Sequence, residues 1–446
     1  MGLIITYDKS HIFKSLTDNL SVNKTYRERN VKPKTNYGKF LLIWSGELVS
    51  AIGGGLTSFG LGVYVFKNTG SAGSMALVTL LAFLPTMLIS VPAGVLADRY
   101  DRRLLMIAGD GLSALGLVYI LVCMLSGGAA LYQICIGVFV SSVFSSLIGP
   151  SYRATVTDLL TREEYSKASG MMSVAGSARY LISPIIAGIL LTVSDIKLLL
   201  LIDICTFFLT AACTAVVREG FKSKTAENKM TLWESFKEGW SAVTEKRGVV
   251  ILIVVSSVMT CFMGAIQILS EPMILDFADS IVLGAAETIC ACGMLVSSVI
   301  LGIRGLKKHF TKVLSASLIL AGLAMVGFGL KENIYMICCF GFLFFFMLPF
   351  ANNCLDYLVR TNIGADKQGR AWGLIGLLSQ TGYIVAYGCM GLLADKIASA
   401  RQIGVGRGAA YVIMVSGVLL AMVAVALNFF KDVRDLEQNE KTIDYQ

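Results

Sequence analysis

Six ionisable side chains stand inside long apolar runs of this chain: Glu47, Asp110, Arg179, Asp203, Glu271 and Glu287. Groups so placed carry out proton binding and charge pairing rather than covalent catalysis. A charge at the centre of a bilayer costs about 2.5–3.5 kcal/mol on insertion scales, so each needs a partner, a proton or a watery path. Depth sorts them. At a helical rise of about 1.5 Å per residue, Glu47 lies about 12 Å into its run and Arg179 about 18 Å into its own. They are the deepest charges and opposite in sign. Two readings stay open: a structural ion pair, or a proton site at Glu47 with Arg179 as its alternating partner. Asp110 is a third coupling candidate, but it stands about two turns from a basic cluster and pairs with those arginines on the alternative reading. Asp203, Glu271 and Glu287 fall near the ends of their runs, where solvated vestibule positions are as plausible as buried ones.

The apolar runs that carry these charges recur through the chain. Of 446 residues, 55% are hydrophobic and 15% charged, with a mean hydropathy of +0.70. A soluble protein of this size carries about 25% charged residues. Runs of 20 or so apolar residues cross a core of roughly 30 Å as helices, and the short alternating strands of a membrane barrel are absent from the pattern. The expected spans are 39–66, 72–97, 104–125, 130–150, 167–193, 197–217, 248–275, 281–303, 311–330, 333–355, 371–393 and 408–430. With the N-terminus inside, the inner loops hold Arg99, Arg102, Arg103, Arg153, Arg162, Lys167, the basic residues of 218–247, Arg304, Lys307, Lys308, Lys312, Arg360, Lys367 and Arg370. The outer loops hold only Lys67, Lys197, Lys331, Lys396, Arg401 and Arg407. That asymmetry fixes the register of spans and puts both termini in the cytoplasm. The net charge of +8 therefore needs no nucleic acid to explain it.

Between the second and third spans runs Gly94-Val95-Leu96-Ala97-Asp98-Arg99-Tyr100-Asp101-Arg102-Arg103. This resembles the signature loop of the major facilitator superfamily, G-x-L-A-D-R-x-G-R-R. Only Asp101 departs, where the family has Gly, and Asp accepts turn conformations well. The resemblance implies that Gly94, Asp98, Arg99, Arg102 and Arg103 form a conformational latch, with Asp98 meeting the start of span eleven near Arg370 and Ala371. In span five, Gly170-x8-Arg179-x3-Ser183-Pro184-x2-Ala187-Gly188 resembles the superfamily's antiporter motif. Gly170, Pro184 and Gly188 match it, Ser183 and Ala187 stay small, and Arg179 replaces a Gly. Small residues at these places let helices approach closely, in an importer as much as in an exporter. Over residues 39–430 the chain resembles the macrolide-efflux-like branch, with Trp44-Ser45-Gly46-Glu47 and Pro150-Ser151-Tyr152-Arg153-Ala154 carrying that character.

The resemblance implies an all-α membrane protein with twelve transmembrane helices in two pseudo-symmetric six-helix bundles. The expected segments are a cytoplasmic tail over 1–38, a first bundle over 39–217, a charged linker over 218–247, a second bundle over 248–430, and a tail over 431–446. In the linker, Leu232, Trp233, Phe236, Trp240 and Val243 recur at helical spacing. This predicts an amphipathic helix lying in the membrane interface or packed beneath the bundles.

Polar residues at Gln133, Gln267, Asn352, Asn353, Gln380, Tyr383 and Tyr387 are candidates to line a central cavity or to hydrogen-bond between helices. Eleven cysteines fall mostly inside apolar runs and act as small hydrophobes. With two histidines in the chain, no metal site or cofactor is expected. Gly53-Gly54-Gly55 lacks the Lys of a nucleotide-binding loop, so energy has to come from an ion gradient. The expected function is secondary transport across the cytoplasmic membrane: export of amphipathic small molecules in exchange for protons, by a monomer with no enzymatic activity. A proton-coupled importer on the same fold and a non-transporting membrane sensor are the rivals.

Overall fold

The computed structural model describes residues 36–161, 164–218, 232–306, 308–364 and 368–438. The N-terminal tail to residue 35 and the first part of the linker, 219–231, lie outside the described residues. In chain order the helices are α1 (Tyr37–Thr69), α2 (Ala72–Arg99), α3 (Arg102–Leu125), α4 (Leu131–Ser145), α5 (Ile148–Leu159), α6 (Tyr165–Leu181), α7 (Ser183–Val193), α8 (Ile196–Arg218), α9 (Leu232–Thr244), α10 (Arg247–Leu275), α11 (Ser280–Arg304), α12 (Phe310–Gly329), α13 (Ile334–Arg360), α14 (Gln368–Val385), α15 (Gly391–Arg401), α16 (Val405–Leu427) and α17 (Lys431–Gln438). Twelve spans long and apolar enough to cross a membrane result among the described residues. Nine are single helices. Span four is α4 with α5, span five is α6 with α7, and span eleven is α14 with α15.

The three compound spans break where the sequence loosens the helix. Pro184 in the first turn of α7 cannot donate a backbone hydrogen bond, and the chain steps through Ile182. In span eleven a π turn, Ala386–Met390, joins α14 to α15. Span four runs on to Leu159, past the Pro150 at which the sequence ended it. Pro150 falls in the first turn of α5, where the missing N–H costs nothing. Span eleven likewise continues to Arg401, past the expected end at residue 393, and Asp395 in the added turns finds partners at the start of span two.

Small residues set the closest helix crossings. A Cβ on Gly322 would stand 2.5 Å from the Gly417 carbonyl, and the reverse holds for Gly417. Spans nine and twelve therefore touch backbone to backbone, the packing mode available where lipid supplies no hydrophobic drive. With an even number of spans, both ends of the described chain lie on one side, called here the terminus side. The linker helix α9 packs on α14, burying Ala242 and Val243 and leaving Trp240 half exposed. The expected tail after span twelve is instead a docked helix, α17, with Val433 and Leu436 buried.

Candidate functional site

The signature loop knots four spans together at the terminus side. Asp101 caps α3, accepting from the Arg103 amide at 3.1 Å, and takes the Arg218 Nε of span six at 2.7 Å. Its φ of −62° is open to any residue, so the departure from Gly costs no strain. Burial raises the Asp101 carboxyl's affinity for a proton. The Arg218 guanidinium and the Arg103 and Leu104 amides outweigh this and hold its pKa below the ordinary value. Arg102 reaches back to the Ala97 carbonyl at 3.1 Å and across to Asp158 on span four at 2.7 Å. Arg103 is buried, in electrostatic range of Asp158 and Asp101. Asp158 was not among the sequence candidates, because span four appeared to end eight residues earlier. Asp98 is half exposed and lies 3.7 Å from Arg102. Arg99 is exposed on the last turn of α2, and a Cβ on Gly94 would meet nothing within 4 Å.

The membrane-embedded charges fall into three groups, not the pairings expected. Glu47 is in electrostatic range of Asp110 and of Tyr152 on span four. Arg179 is exposed and in range of Asp203 and Tyr387. No ion pair joins Glu47 to Arg179 among the described residues. Asp110 is buried with one oxygen lacking a hydrogen-bond partner, and it does not reach the signature arginines. Asp203 is no vestibule residue either: it is buried and accepts from Thr206 Oγ1 at 3.3 Å. Glu271 and Glu287 stand in range of each other. Glu271 Oε2 is enclosed without a hydrogen-bond partner, where a Cβ on Gly62 of span one would collide with it. Sequence depth alone could not have sorted these groups, since it says nothing of which helix faces meet.

The two bundles meet away from the terminus side. Spans five and eight press together through the antiporter-like segment. A Cβ on Gly188 would stand 2.5 Å from the Ser280 carbonyl, and one on Gly284 would collide with the Pro184 carbonyl. Thr288 Oγ1 donates to the Leu181 carbonyl at 3.1 Å. Ser183 Oγ donates to the Ile52 carbonyl of span one at 3.0 Å, and Ala187 is fully buried. Gly170, by contrast, would meet nothing within 4 Å of an added Cβ. Spans two and eleven meet through Phe83, whose ring centroid lies 5.4 Å from Tyr383 and 5.6 Å from Tyr387.

Gly94, Gly176, Gly373 and Gly376 all face open space. A cavity of about 330 Å³ lies in the terminus-side half of the second bundle, lined by Ser256 and Thr260 of span seven, Asn352 and Asp356 of span ten, and Trp372, Ser379, Gln380 and Tyr383 of span eleven. Tyr383 donates to Met263 Sδ at 3.1 Å, and Tyr387 to Gln267 Oε1 at 3.0 Å, above the cavity. Asn353 is exposed beside it. Gln133 does not line the cavity; it caps α4 by accepting from the Ala130 amide at 2.8 Å. Asp356, Trp372 and Thr260 were not singled out from sequence. Asp356 sits four residues from Arg360 near a helix end, a spacing that reads as an ordinary surface pair.

The Major Facilitator Superfamily profile matches residues 43–387. The chain belongs to the major facilitator superfamily. It is 24% identical over 409 residues to macrolide efflux protein A of Streptococcus pyogenes, covering 90% of this chain and 97% of that protein. It is 23% identical over 374 residues to the multidrug efflux pump Tap of Mycobacterium bovis (strain BCG / Pasteur 1173P2), covering 80% and 86%. Among solved structures it resembles a bacterial homologue of the iron transporter ferroportin in an inward-facing state. That superposition has a TM-score of 0.69 at 15% identity and covers 88% of this chain and 98% of that one. The facilitator fold of two six-helix bundles and the efflux-branch resemblance are thereby borne out. This facilitator's cavity beside Tyr383 lies on its terminus side, and the two bundles touch on the other.

Proposed function

We propose that this facilitator exports amphipathic small molecules across the cytoplasmic membrane in exchange for protons, by alternating access. The observation that carries the reading is a cavity on the terminus side that reaches Tyr383 and Gln380, while the two bundles touch backbone to backbone on the far side. With both termini in the cytoplasm, as the distribution of basic residues requires, that cavity faces the cell interior. Rocking residues 39–217 against 248–430, with 218–247 as the joint, would close it and open the far side. The efflux names of the sequence relatives support the direction. The wall of apolar and aromatic side chains with a few hydroxyls and amides suits an amphipathic molecule.

Glu47 and Asp110 are the proposed coupling groups. Two carboxyl groups in one buried pocket repel strongly when both are charged, so the pocket binds a proton readily and releases it when the bundle moves. Arg179 belongs to a different group, with Asp203, and acts there instead of gating Glu47. The test is Glu47→Gln in inside-out vesicles with a fluorescent amphipath. Wild type should accumulate it only with a proton gradient. The variant should lose gradient-driven uptake while keeping exchange at zero gradient. Equal loss of both would make Glu47 structural, full retention of both would remove it from coupling, and accumulation in right-side-out vesicles instead would make the protein an importer.

A further inference from the structure

The far-side contact between spans two and eleven is built around one carboxylate. Asp395 of α15 aims its carboxylate at the first turn of α2. Oδ1 accepts from the Ala72 amide at 2.9 Å. Oδ2 accepts from Ser71 Oγ at 2.6 Å and from the Gly73 amide at 2.9 Å. Amides in a helix's first turn lack partners within the helix, and the helix dipole favours a negative charge there. One turn earlier on the same face, a Cβ on Gly391 would stand 2.6 Å from the Ala72 carbonyl, so the two chains lie backbone to backbone around the carboxylate. The contact bridges the two bundles. At the other end of α2, Asp98 is half exposed and 3.7 Å from Arg102.

We propose that Asp395 is a positioning residue for transport, the latch that holds the far side shut while the cavity faces the termini. Spans two and eleven run antiparallel, so each helix start lies beside the other helix's end. A carboxylate on span eleven then holds the start of span two in one state. Asp98 on span two is placed to hold the start of span eleven in the other. Both cannot engage at once, because the bundles close at only one end. The inference rests on the alternating-access reading and adds the residue that sets how long the loading state persists.

Hydrogen exchange on the full-length protein in nanodiscs tests it, read at residues 71–80 and 368–380. Losing the charge-assisted contact should shift the balance between states by roughly tenfold. Asp395→Ala should therefore raise exchange at 71–80 by about that factor and lower it at 368–380. Asp98→Asn should shift both the opposite way, and the double variant should return towards wild type. Unchanged exchange at both segments in folded Asp395→Ala would overturn the latch. Should that variant not fold, Ser71→Ala must show a smaller shift in the same direction, and its absence overturns the proposal equally. The alternating-access reading is tested separately on wild type: adding the fluorescent amphipath should shift protection between the two segments, and no such response would sink that reading before any variant is compared.

Discussion

At the scale of single residues, Asp101 shows how a departure from a motif can be a gain. The motif's Gly permits a turn of any shape, yet this loop has an extended, negative-φ backbone at 101. The freedom is not needed, and the carboxylate supplies a cap and a bond to Arg218 instead. Replacing an N-cap Asp by Ala costs about 1 kcal/mol, and the half-exposed ion pair adds little. Because the folded pKa is depressed, this stability is complete above the ordinary value of about 3.9 and fades only as pH falls through the lower, folded one. Asp101→Ala should lower the unfolding midpoint in detergent by the same amount at pH 5 and pH 8. A gap that closes between those pH values would mean a different group carries the effect. The motif residues themselves were readable from the sequence because their spacing is local. Asp158, which anchors Arg102, was not, since nothing in its neighbourhood marks it as facing a loop 56 residues away.

At the scale of helices, apolar length located all twelve spans, but ends set by tertiary partners were misplaced. Pro150 and Asp395 both look like terminators. One sits in a first turn that tolerates it, and the other is satisfied by span two. The antiporter-like segment was legible as small residues, while its role as the contact face against span eight was not, because a list of glycines does not name their neighbours. That role makes a prediction. At Gly188 and Gly284 an added methyl meets backbone carbonyls of the opposite bundle, which no side-chain rotation can move. Gly188→Ala and Gly284→Ala should hold the far side apart and reduce efflux several-fold at matched membrane abundance. Gly170→Ala and Gly176→Ala, where nothing lies within 4 Å, should leave it near wild type. Equal activity across all four would show that spans five and eight do not need this approach.

At the scale of the molecule, the two bundles were implied by the resemblance to the facilitator superfamily, and the comparison with solved facilitators bears the fold out. What the sequence could not supply was the arrangement: a cavity on one side and bundle contact on the other depend on which helix faces touch. The last helix was hidden for a different reason. Residues 431–446 are short and charged, so they read as a tail, yet α17 ties together three ends of the second bundle. Glu437 accepts from the Phe310 and Thr311 amides at 3.1 and 3.2 Å, completing the start of span nine. Asn362, after span ten, donates to the Leu436 carbonyl at 3.2 Å and also accepts from Lys246, before span seven, at 3.0 Å. Burying Val433 and Leu436 contributes about 3 kcal/mol or more, and a carboxylate at a helix start about 0.3–1 kcal/mol. In the proposed rocking motion the second bundle moves as one body, and α17 ties the terminus-side ends of its helices together. Deleting residues 431–446 should lower the thermal midpoint of the purified protein clearly. Glu437→Gln should lower it by a fraction of that. Since none of α17 lines the cavity, substrate affinity of the truncated protein, measured below its new midpoint, should stay unchanged while its turnover falls. A truncated protein that unfolds at the wild-type temperature would show that α17 is not part of the bundle, and weakened affinity would show that it shapes the cavity.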